Sequence, residues 1–231
     1  MSARPEAAAD EVVVLLHGMG RSALSMKPIQ WALARRGYRT VNISYPSTRF
    51  DVENVVHSHL VPALKEIRKT SPARIHFVTH SLGGLLVRHY HSLQPASLPG
   101  RTVMLGPPNG GSELADVLKK LAAYRLLVGP AGQQLGTGAQ DLPRALGPAR
   151  FEVGVIAGDR TPFYSWWLPA PNDGKVSVES TRLAGMTDFI VVHHAHTWLP
   201  WRNEVIRQVL AFLETGRFTK VGQASRLPPG A

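Results

Sequence analysis

The feature that most constrains this chain is the segment Arg74–Arg88, RIHFVTHSLGGLLVR, in which an apolar run passes directly into a helical pattern. The run Arg74–Thr79 is typical of a buried strand, and Leu82–Leu93 has the apolar spacing of a helix. The turn between them is so short that it lifts the side chain of Ser81 off the backbone at the carboxyl end of the strand. Strand and helix nearly touch there, so a small residue such as Gly83 is required. The segment predicts a layered fold with a presented serine.

The same alternation of strand and helix patterns runs through the rest of the chain. Further strands are predicted at Glu11–Leu16, Arg39–Tyr45, Arg101–Leu105, Phe151–Ala157 and Asp188–His193. Helices are predicted between the first two of these strands, over Val52–Lys69 with a kink at Pro62, and from about Trp201 to Gly216. Because parallel strands are joined by crossover helices, this order predicts an α/β fold: a mostly parallel central sheet with helices on both faces.

One domain is predicted over residues 11–218. Residues 1–10 are expected to form a flexible leader, and residues 219–231 a disordered tail. Residues 129–148 are rich in Gly, Pro, Ala and Gln, which is too loose for a core element, so they are a candidate lid or substrate-facing insertion. The chain has no room for a large cap domain, and any lid is expected to be minimal.

Composition excludes several classes of function. The 231 residues include no cysteine, which rules out disulfides, thiolate metal sites, iron–sulfur clusters and a thiol nucleophile. The net charge of +10 favours weak attraction to lipid surfaces, but the basic residues are scattered and lie in no nucleic-acid-binding motif. No apolar stretch approaches the roughly 20 residues of a membrane helix, and the acidic N-terminus is unlike a secretory signal. We expect a cytosolic monomer with no specific nucleic-acid partner and at most weak membrane contact.

A nucleophilic serine also needs donors for the oxyanion that forms during acyl transfer. Two backbone N–H groups serve this purpose, one from the residue after the serine and one from the loop after an earlier strand. Leu82 follows Ser81, and the loop His17-Gly18-Met19-Gly20 follows the first predicted strand. The glycines on both sides of Met19 let the main chain approach a substrate. Met19 and Leu82 are therefore the predicted oxyanion hole.

The carboxylate and the histidine of a serine triad must follow the serine in the chain, in that order. Asp173 lies in a tight turn with Gly174, which could aim its carboxylate inward, and is the predicted acid. Asp159 is the alternative, because it comes directly after a predicted strand. Asp188 opens the last strand and is expected at the surface.

Three histidines lie at the end of the last predicted strand and after it, and His193 still belongs to that strand. His196 comes last, just before the closing helix, where it can reach over the sheet edge toward Ser81, and it is the predicted base. A metal site formed by His193, His194 and His196 is the competing interpretation, which we disfavour because no acidic residue stands nearby. His80 adjoins Ser81 but points away from it by strand geometry, so it is expected only to support the site.

Taken in order, these motifs resemble the small bacterial α/β-hydrolases of the lipase and esterase type. The resemblance covers roughly Val12 to Phe218 and rests on five motifs: HGMG from His17, THSLGG from Thr79, GPPNGGS from Gly106, NDGKVS from Asn172 and HTW from His196. Thr79 departs from the family pattern, because it replaces the first glycine of G-x-S-x-G around Ser81.

The resemblance implies serine-ester hydrolysis without a metal or an organic cofactor, and it makes the loop Pro107–Gly111 a wall of the acyl pocket. An aromatic set is expected to contribute to the same pocket: Phe163, Tyr164, Trp166, Trp167 and Trp198. Short- to medium-chain acyl esters are the expected small-molecule substrates. Longer-chain acylglycerols, thioesters and acyl transfer stay open, as do a non-catalytic relative of the fold and a surface-binding module.

Overall fold

The central sheet is built from six strands. The structure, a computed structural model, describes residues 10–94, 100–119 and 122–219, so the predicted leader and tail lie outside it except for residues 10 and 219. The strands are β1 (Glu11–Leu16), β2 (Arg39–Ile43), β3 (Arg74–His80), β4 (Thr102–Leu105), β5 (Val153–Gly158) and β6 (Asp188–Val192). All neighbouring strands are parallel. The predicted α/β class is confirmed, and in the described residues the sheet is wholly parallel.

The order of the strands shows where a ligand can bind. It is β2-β1-β3-β4-β5-β6, so the chain moves from β1 to one edge and then returns to the other side of β1. In open parallel sheets, ligands bind outside the carboxyl ends of the strands at such a reversal. The loops that follow β1 and β3, which begin at His17 and Ser81, therefore meet at the favoured position.

Helices cover both faces of the sheet, as predicted. They are α1 (Lys27–Arg35), α2 (Val52–Val55), α3 (Val61–Arg68), α4 (Leu82–Leu93), α5 (Glu113–Leu118), α6 (Ala122–Gln133), α7 (Leu142–Ala145), α8 (Val178–Thr181) and α9 (Asn203–Thr215). Alternate residues of β1 point to opposite sides: Val12 and Val14 pack with α2, α3 and α4, whereas Val13 and Leu15 pack with α1 and α9. This alternation places one apolar core on each side of β1, and a third, smaller cluster surrounds Met104, Val153 and Val155.

The kink predicted at Pro62 takes the form of a π-turn. Val56–Leu60 joins α2 to α3, and the N–H of Val61 donates to the carbonyl of Val56, five residues back. Pro62 has no N–H and its ring crowds the preceding turn, so the wider turn accommodates it without ending the helical path.

Residues 129–148 are more ordered than their composition indicates. α6 changes direction at Gly129, which has a φ of 64°, and α7 follows within the segment. Ala131 and Leu135 are buried in the core beside α2 and α4. The prediction that this segment is too loose for a core element is wrong, because Ala131 and Leu135 lie in the core, although much of the segment is exposed or half-buried. Its role as a lid stays a prediction.

Within the described ranges, no helix combines the length and the apolar character that a membrane span needs.

Candidate active site

Ser81 occupies a strained turn between β3 and α4. β3 ends at His80 and α4 begins at Leu82, and the backbone of Ser81 has a φ of 53° and a ψ of −120°. A non-glycine residue held in such a conformation costs about 1–3 kcal/mol. The Ser81 N–H donates to Leu105 O at 2.9 Å, which ties the turn to β4. A side chain at Gly83 would lie 2.7 Å from Leu16 O of β1, so the close approach requires glycine there.

Thr79, the departure from the family pattern, is fully buried. Its Oγ1 has no hydrogen-bond partner among the described residues. A Cβ at Gly84 of α4 would lie 3.1 Å from Pro107 Cβ, which is a tight contact, but 3.6 Å from Thr79 Oγ1, which is an ordinary van der Waals distance. Gly84 is therefore favoured by the approach of the loop after β4 rather than by Thr79.

The loop after β1 lies against Ser81. A Cβ on Gly18 would be 3.2 Å from Ser81 Cβ, and Met19 lines the same cleft as Ser81. His17 holds the loop: its Nδ1–H donates to Gly18 O at 2.8 Å, and its Nε2 accepts the Tyr45 N–H at 3.3 Å. This pairing requires the neutral ring, and burial accordingly lowers the pKa of His17. The predicted oxyanion residues Met19 and Leu82 thus both adjoin the serine, one before it in the chain and one after it.

Asp173 and His196 form a buried pair. The His196 Nδ1–H donates to Asp173 Oδ2 at 2.7 Å, and both side chains are excluded from solvent. The other carboxylate oxygen, Oδ1, accepts the N–H groups of Lys175 at 3.0 Å and Val176 at 2.9 Å. The His196 N–H also donates to Asp173 O at 2.9 Å. A carboxylate fixed in this way selects the tautomer that leaves Nε2 free to accept a proton.

Two further residues hold His196 in place. Gly106, at the end of β4, has a φ of 53°, and a Cβ there would lie 3.0 Å from His196 Nδ1 and 3.1 Å from Asp173 Oδ2. The pair occupies the space that any side chain at this position would need. His80 donates its Nε2–H to His196 O at 3.0 Å, with the two ring centroids 4.9 Å apart. Burial, and then the neighbouring His196, place the pKa of His80 far below its ordinary value, so His80 is a neutral support.

The three histidines after β6 have three different carboxylate partners. His193 Nδ1 lies 2.9 Å from Asp159 Oδ1 at the surface, and His194 Nε2 lies 3.1 Å from Glu204 Oε2. Asp159, the alternative acid, therefore pairs with His193, whereas Asp173 pairs with His196. Contrary to the sequence argument, acidic residues do lie near these histidines in space. Each carboxylate pairs with a different histidine, so the three histidines do not converge on one point. In the part of the chain that the structure describes, no group of three or more His, Cys, Asp or Glu side chains is placed to hold a metal ion.

The cleft outside Ser81 has a volume of about 420 Å³, counting the solvent at its mouth. Besides Ser81 and Met19, it is lined by Pro108, Ser112, Leu114, Ala115, Leu135, Lys175 and Val176. Pro108 belongs to the loop predicted as a pocket wall. The predicted aromatic lining is wrong for the described side chains, because the cleft is lined by none of Phe163, Trp166, Trp167 and Trp198. Phe163 and Trp166 are instead 89% and 79% exposed. The Tyr164 side chain lies outside the described part.

The sequence matches the model of a known protein family. A model described as the alpha/beta hydrolase family matches residues 13–221. The chain belongs to the alpha/beta hydrolase family. No curated protein sequence matches this alpha/beta hydrolase.

Solved structures share the alpha/beta hydrolase fold with this chain at low sequence identity. The mature lipase BlEst2 of Bacillus licheniformis has a TM-score of 0.68 at 20% identity, over 90% of this chain and 92% of the lipase. The phospholipase PlaB of Legionella pneumophila has 0.63 at 16%, over 80% and 53%. The thioesterase RedJ of the prodiginine pathway in Streptomyces coelicolor has 0.56 at 18%, over 94% and 95%. At these identities the likeness shows the fold.

One structural residue of this alpha/beta hydrolase escaped the sequence analysis. Arg88 of α4 is buried, and its guanidinium donates to three carbonyl oxygens: Asn109 at 3.0 Å, Pro143 at 2.7 Å and Gly147 at 2.8 Å. Burial lowers the pKa of Arg88 to about 10. Arg88 thereby fastens the wall loop and the end of the 129–148 segment to the helix that starts at Ser81. Its only sequence signal is a charged residue within an apolar helix.

Proposed function

We propose that this alpha/beta hydrolase is a serine carboxylic-ester hydrolase that acts on short- to medium-chain acyl esters. The observation that carries the proposal is the buried 2.7 Å hydrogen bond from His196 to Asp173, formed at the same end of the sheet as the strained serine. A buried carboxylate–imidazole pair beside a presented hydroxyl is the constellation used for acyl transfer. The lipase, phospholipase and thioesterase likenesses are in keeping with this chemistry.

In the proposed mechanism, Ser81 Oγ attacks the carbonyl carbon of the ester while His196 Nε2 takes the hydroxyl proton. The N–H groups of Met19 and Leu82 stabilise the oxyanion, and Asp173 stabilises the imidazolium. As the intermediate collapses, the bond to the alcohol oxygen breaks, and the alcohol leaves with the proton from His196. Water then attacks the acyl-Ser81 ester with His196 again as base, which releases the carboxylic acid and restores the serine.

The size of the substrate is inferred from the cleft. The cleft that Ser81 lines is small and open to solvent, which favours an ester with a short acyl group. Longer acylglycerols, thioesters and acyl transfer use the same residues and are distinguished by the choice of substrate. The cytosolic location and the monomeric state remain predictions of the sequence.

The test is an assay with p-nitrophenyl esters of graded chain length on the wild type, Ser81→Ala and Ser92→Ala. Ser92 lies at the far end of α4, where its Oγ donates to His89 O. Ser81→Ala is expected to lower kcat by about 10⁴-fold or more, whereas Ser92→Ala retains the wild-type rate. An initial burst of p-nitrophenol would report the acyl-enzyme. Turnover by a folded Ser81→Ala protein within about tenfold of the wild type refutes the proposal.

A further inference from the structure

Two cations, Lys175 and Arg21, lie on the loops that carry the proposed site residues. Lys175 lines the cleft together with Ser81 and Met19 and is partly buried. Arg21 follows the oxyanion loop, two residues after Met19, and is exposed. One cation therefore belongs to the loop of the acid and the other to the loop of the oxyanion hole. Neither takes part in the mechanism described above.

The position of Lys175 is fixed by the site itself. Its backbone N–H donates to Asp173 Oδ1, and its carbonyl accepts the Ser112 Oγ–H, both at 3.0 Å. The main chain on which the ammonium is carried is thus bonded to the proposed catalytic acid on one side and to the cap of α5 on the other. The main chain of Lys175 is therefore held at the cleft, and the ammonium is carried from it on a four-carbon side chain.

Neither cation has an anionic partner in the structure. Among the described residues, no carboxylate lies within ion-pair distance of Arg21 or Lys175, although other lysines and arginines of the chain do form such pairs. Burial lowers the pKa of Lys175 most, repulsion from Arg21 lowers it further, and Asp173 opposes both. Asp173 is already engaged by His196 and two N–H groups. Burial and His196 lower the pKa of His80 most, and the charges of Lys175 and Arg21 lower it further.

A partly desolvated ammonium without a counter-ion is unfavourable, and a bound anion relieves it. We propose that the substrate is an ester with an anionic group, a carboxylate or a phosphate, close to the scissile bond, and that Lys175 and Arg21 bind this group. Arg21 offers a planar fork of donors, and Lys175 offers a compact charge, a combination suited to either oxyanion. This inference rests on the proposed function and specifies its substrate class.

The test compares esters with and without an anionic group. The first pair is mono-p-nitrophenyl glutarate and p-nitrophenyl pentanoate, with the carboxylate on the acyl side. The second pair is the butyryl ester of glycerol phosphate and that of glycerol, with the phosphate on the alcohol side. For at least one pair, kcat/KM is expected to be about tenfold or more higher for the anionic member. The pair that shows the preference identifies the source of the anion.

Variants connect the preference to the two cations. Lys175→Met and Arg21→Gln are each expected to reduce the anionic-to-neutral ratio of kcat/KM by about tenfold, and Lys175→Arg to restore it. The control is Lys65→Met, which removes an exposed lysine of α3 and is expected to leave the ratio unchanged. A preference that survives both Lys175→Met and Arg21→Gln overturns the inference.

The two proposals fail separately. If Ser81-dependent hydrolysis is present but neither pair shows a preference, the inference is overturned and the proposed function stands. If no ester is hydrolysed, calorimetric titration of Ser81→Ala with the same esters decides the inference alone. Tighter binding of an anionic ester, lost in Ser81→Ala/Lys175→Met, supports it, and equal affinity for both members of each pair overturns it.

Discussion

Replacing Gly106 with alanine tests whether the His196–Asp173 pair is held as tightly as its surroundings indicate. Gly106 has a φ of 53°, and the new Cβ would lie 3.0 Å from His196 Nδ1 and 3.1 Å from Asp173 Oδ2. The unusual φ alone costs about 1–2 kcal/mol of the free energy of unfolding. To relieve the contacts, His196 or Asp173 must move by a few tenths of an ångström. This movement either lengthens their 2.7 Å hydrogen bond or displaces the loops that carry them.

Gly147→Ala separates these two effects. Gly147 has a φ of 67°, but a Cβ there meets nothing within 4 Å, so its substitution brings the same backbone strain without a contact at the site. Both variants are expected to lose about 1–2 kcal/mol in urea-induced unfolding. Only Gly106→Ala is expected to lose kcat, by about 10- to 100-fold, since small displacements of catalytic groups have effects of this size.

The assays are p-nitrophenyl butyrate hydrolysis and the downfield proton resonance of the His196 Nδ1–H, which reports the hydrogen bond whatever the substrate. If Gly106→Ala retains kcat within about twofold of Gly147→Ala, the pair tolerates displacement and the reasoning is refuted. An unchanged resonance would show that the contacts are relieved elsewhere.

Three further predictions follow from the pairing and burial of single residues. Asp173→Asn is expected to lower kcat by about 10⁴-fold, and Asp159→Asn to leave it within about twofold; the reverse result in steady-state kinetics would exchange the two assignments. Arg88→Met is expected to lower the free energy of unfolding by about 3 kcal/mol, because buried carbonyl oxygens lose their donor, and a loss below about 1 kcal/mol in urea unfolding contradicts this. Burial lowers the pKa of His91 from 6.5 to about 4, so within that window the unfolded chain binds a proton that the folded chain does not, and stability falls as the pH falls, by up to about 3 kcal/mol. His91→Phe keeps the stacking on Phe151 and is expected to weaken this pH dependence between pH 7 and about pH 4.5; an identical dependence in both proteins speaks against it.

The segment around Ser81 was predictable because its constraints are local. The helix predicted at Leu82–Leu93 is observed with the same bounds, and β3 extends by one residue to His80. The strand, the turn at Ser81 and the helix are adjacent in the sequence. Their residue pattern can therefore be recognised without knowing any distant contact.

The surroundings of the site depend on contacts between distant segments. Asp159 directly follows β5 and Asp173 lies in a turn with Gly174, and both positions suit a catalytic acid. Only their long-range partners, His193 and His196, distinguish them. The same holds for Glu204 of α9, which approaches His194 through the fold rather than through the sequence. Short elements such as α5 and α8, of six and four residues, carry too few apolar repeats to show a periodicity.

The aromatic residues after β5 illustrate a different limit. Their composition suits a pocket, but burial is decided by which way the loop turns. Phe163 and Trp166 lie on a short 3₁₀ turn and its end, and they face solvent. Composition indicates which side chains could line a cleft, whereas the path of the main chain decides which of them do.

The strained turn at Ser81 contacts the sheet on both sides. Its N–H is bonded to β4, and the glycine two residues later rests against β1. The backbone of Ser81 therefore cannot relax by local fraying, because relaxation requires neighbouring strands to separate. Inactivation by urea is thus expected to coincide with cooperative unfolding of the sheet rather than to precede it. Activity that depends on Ser81 then reports whether the whole domain is folded.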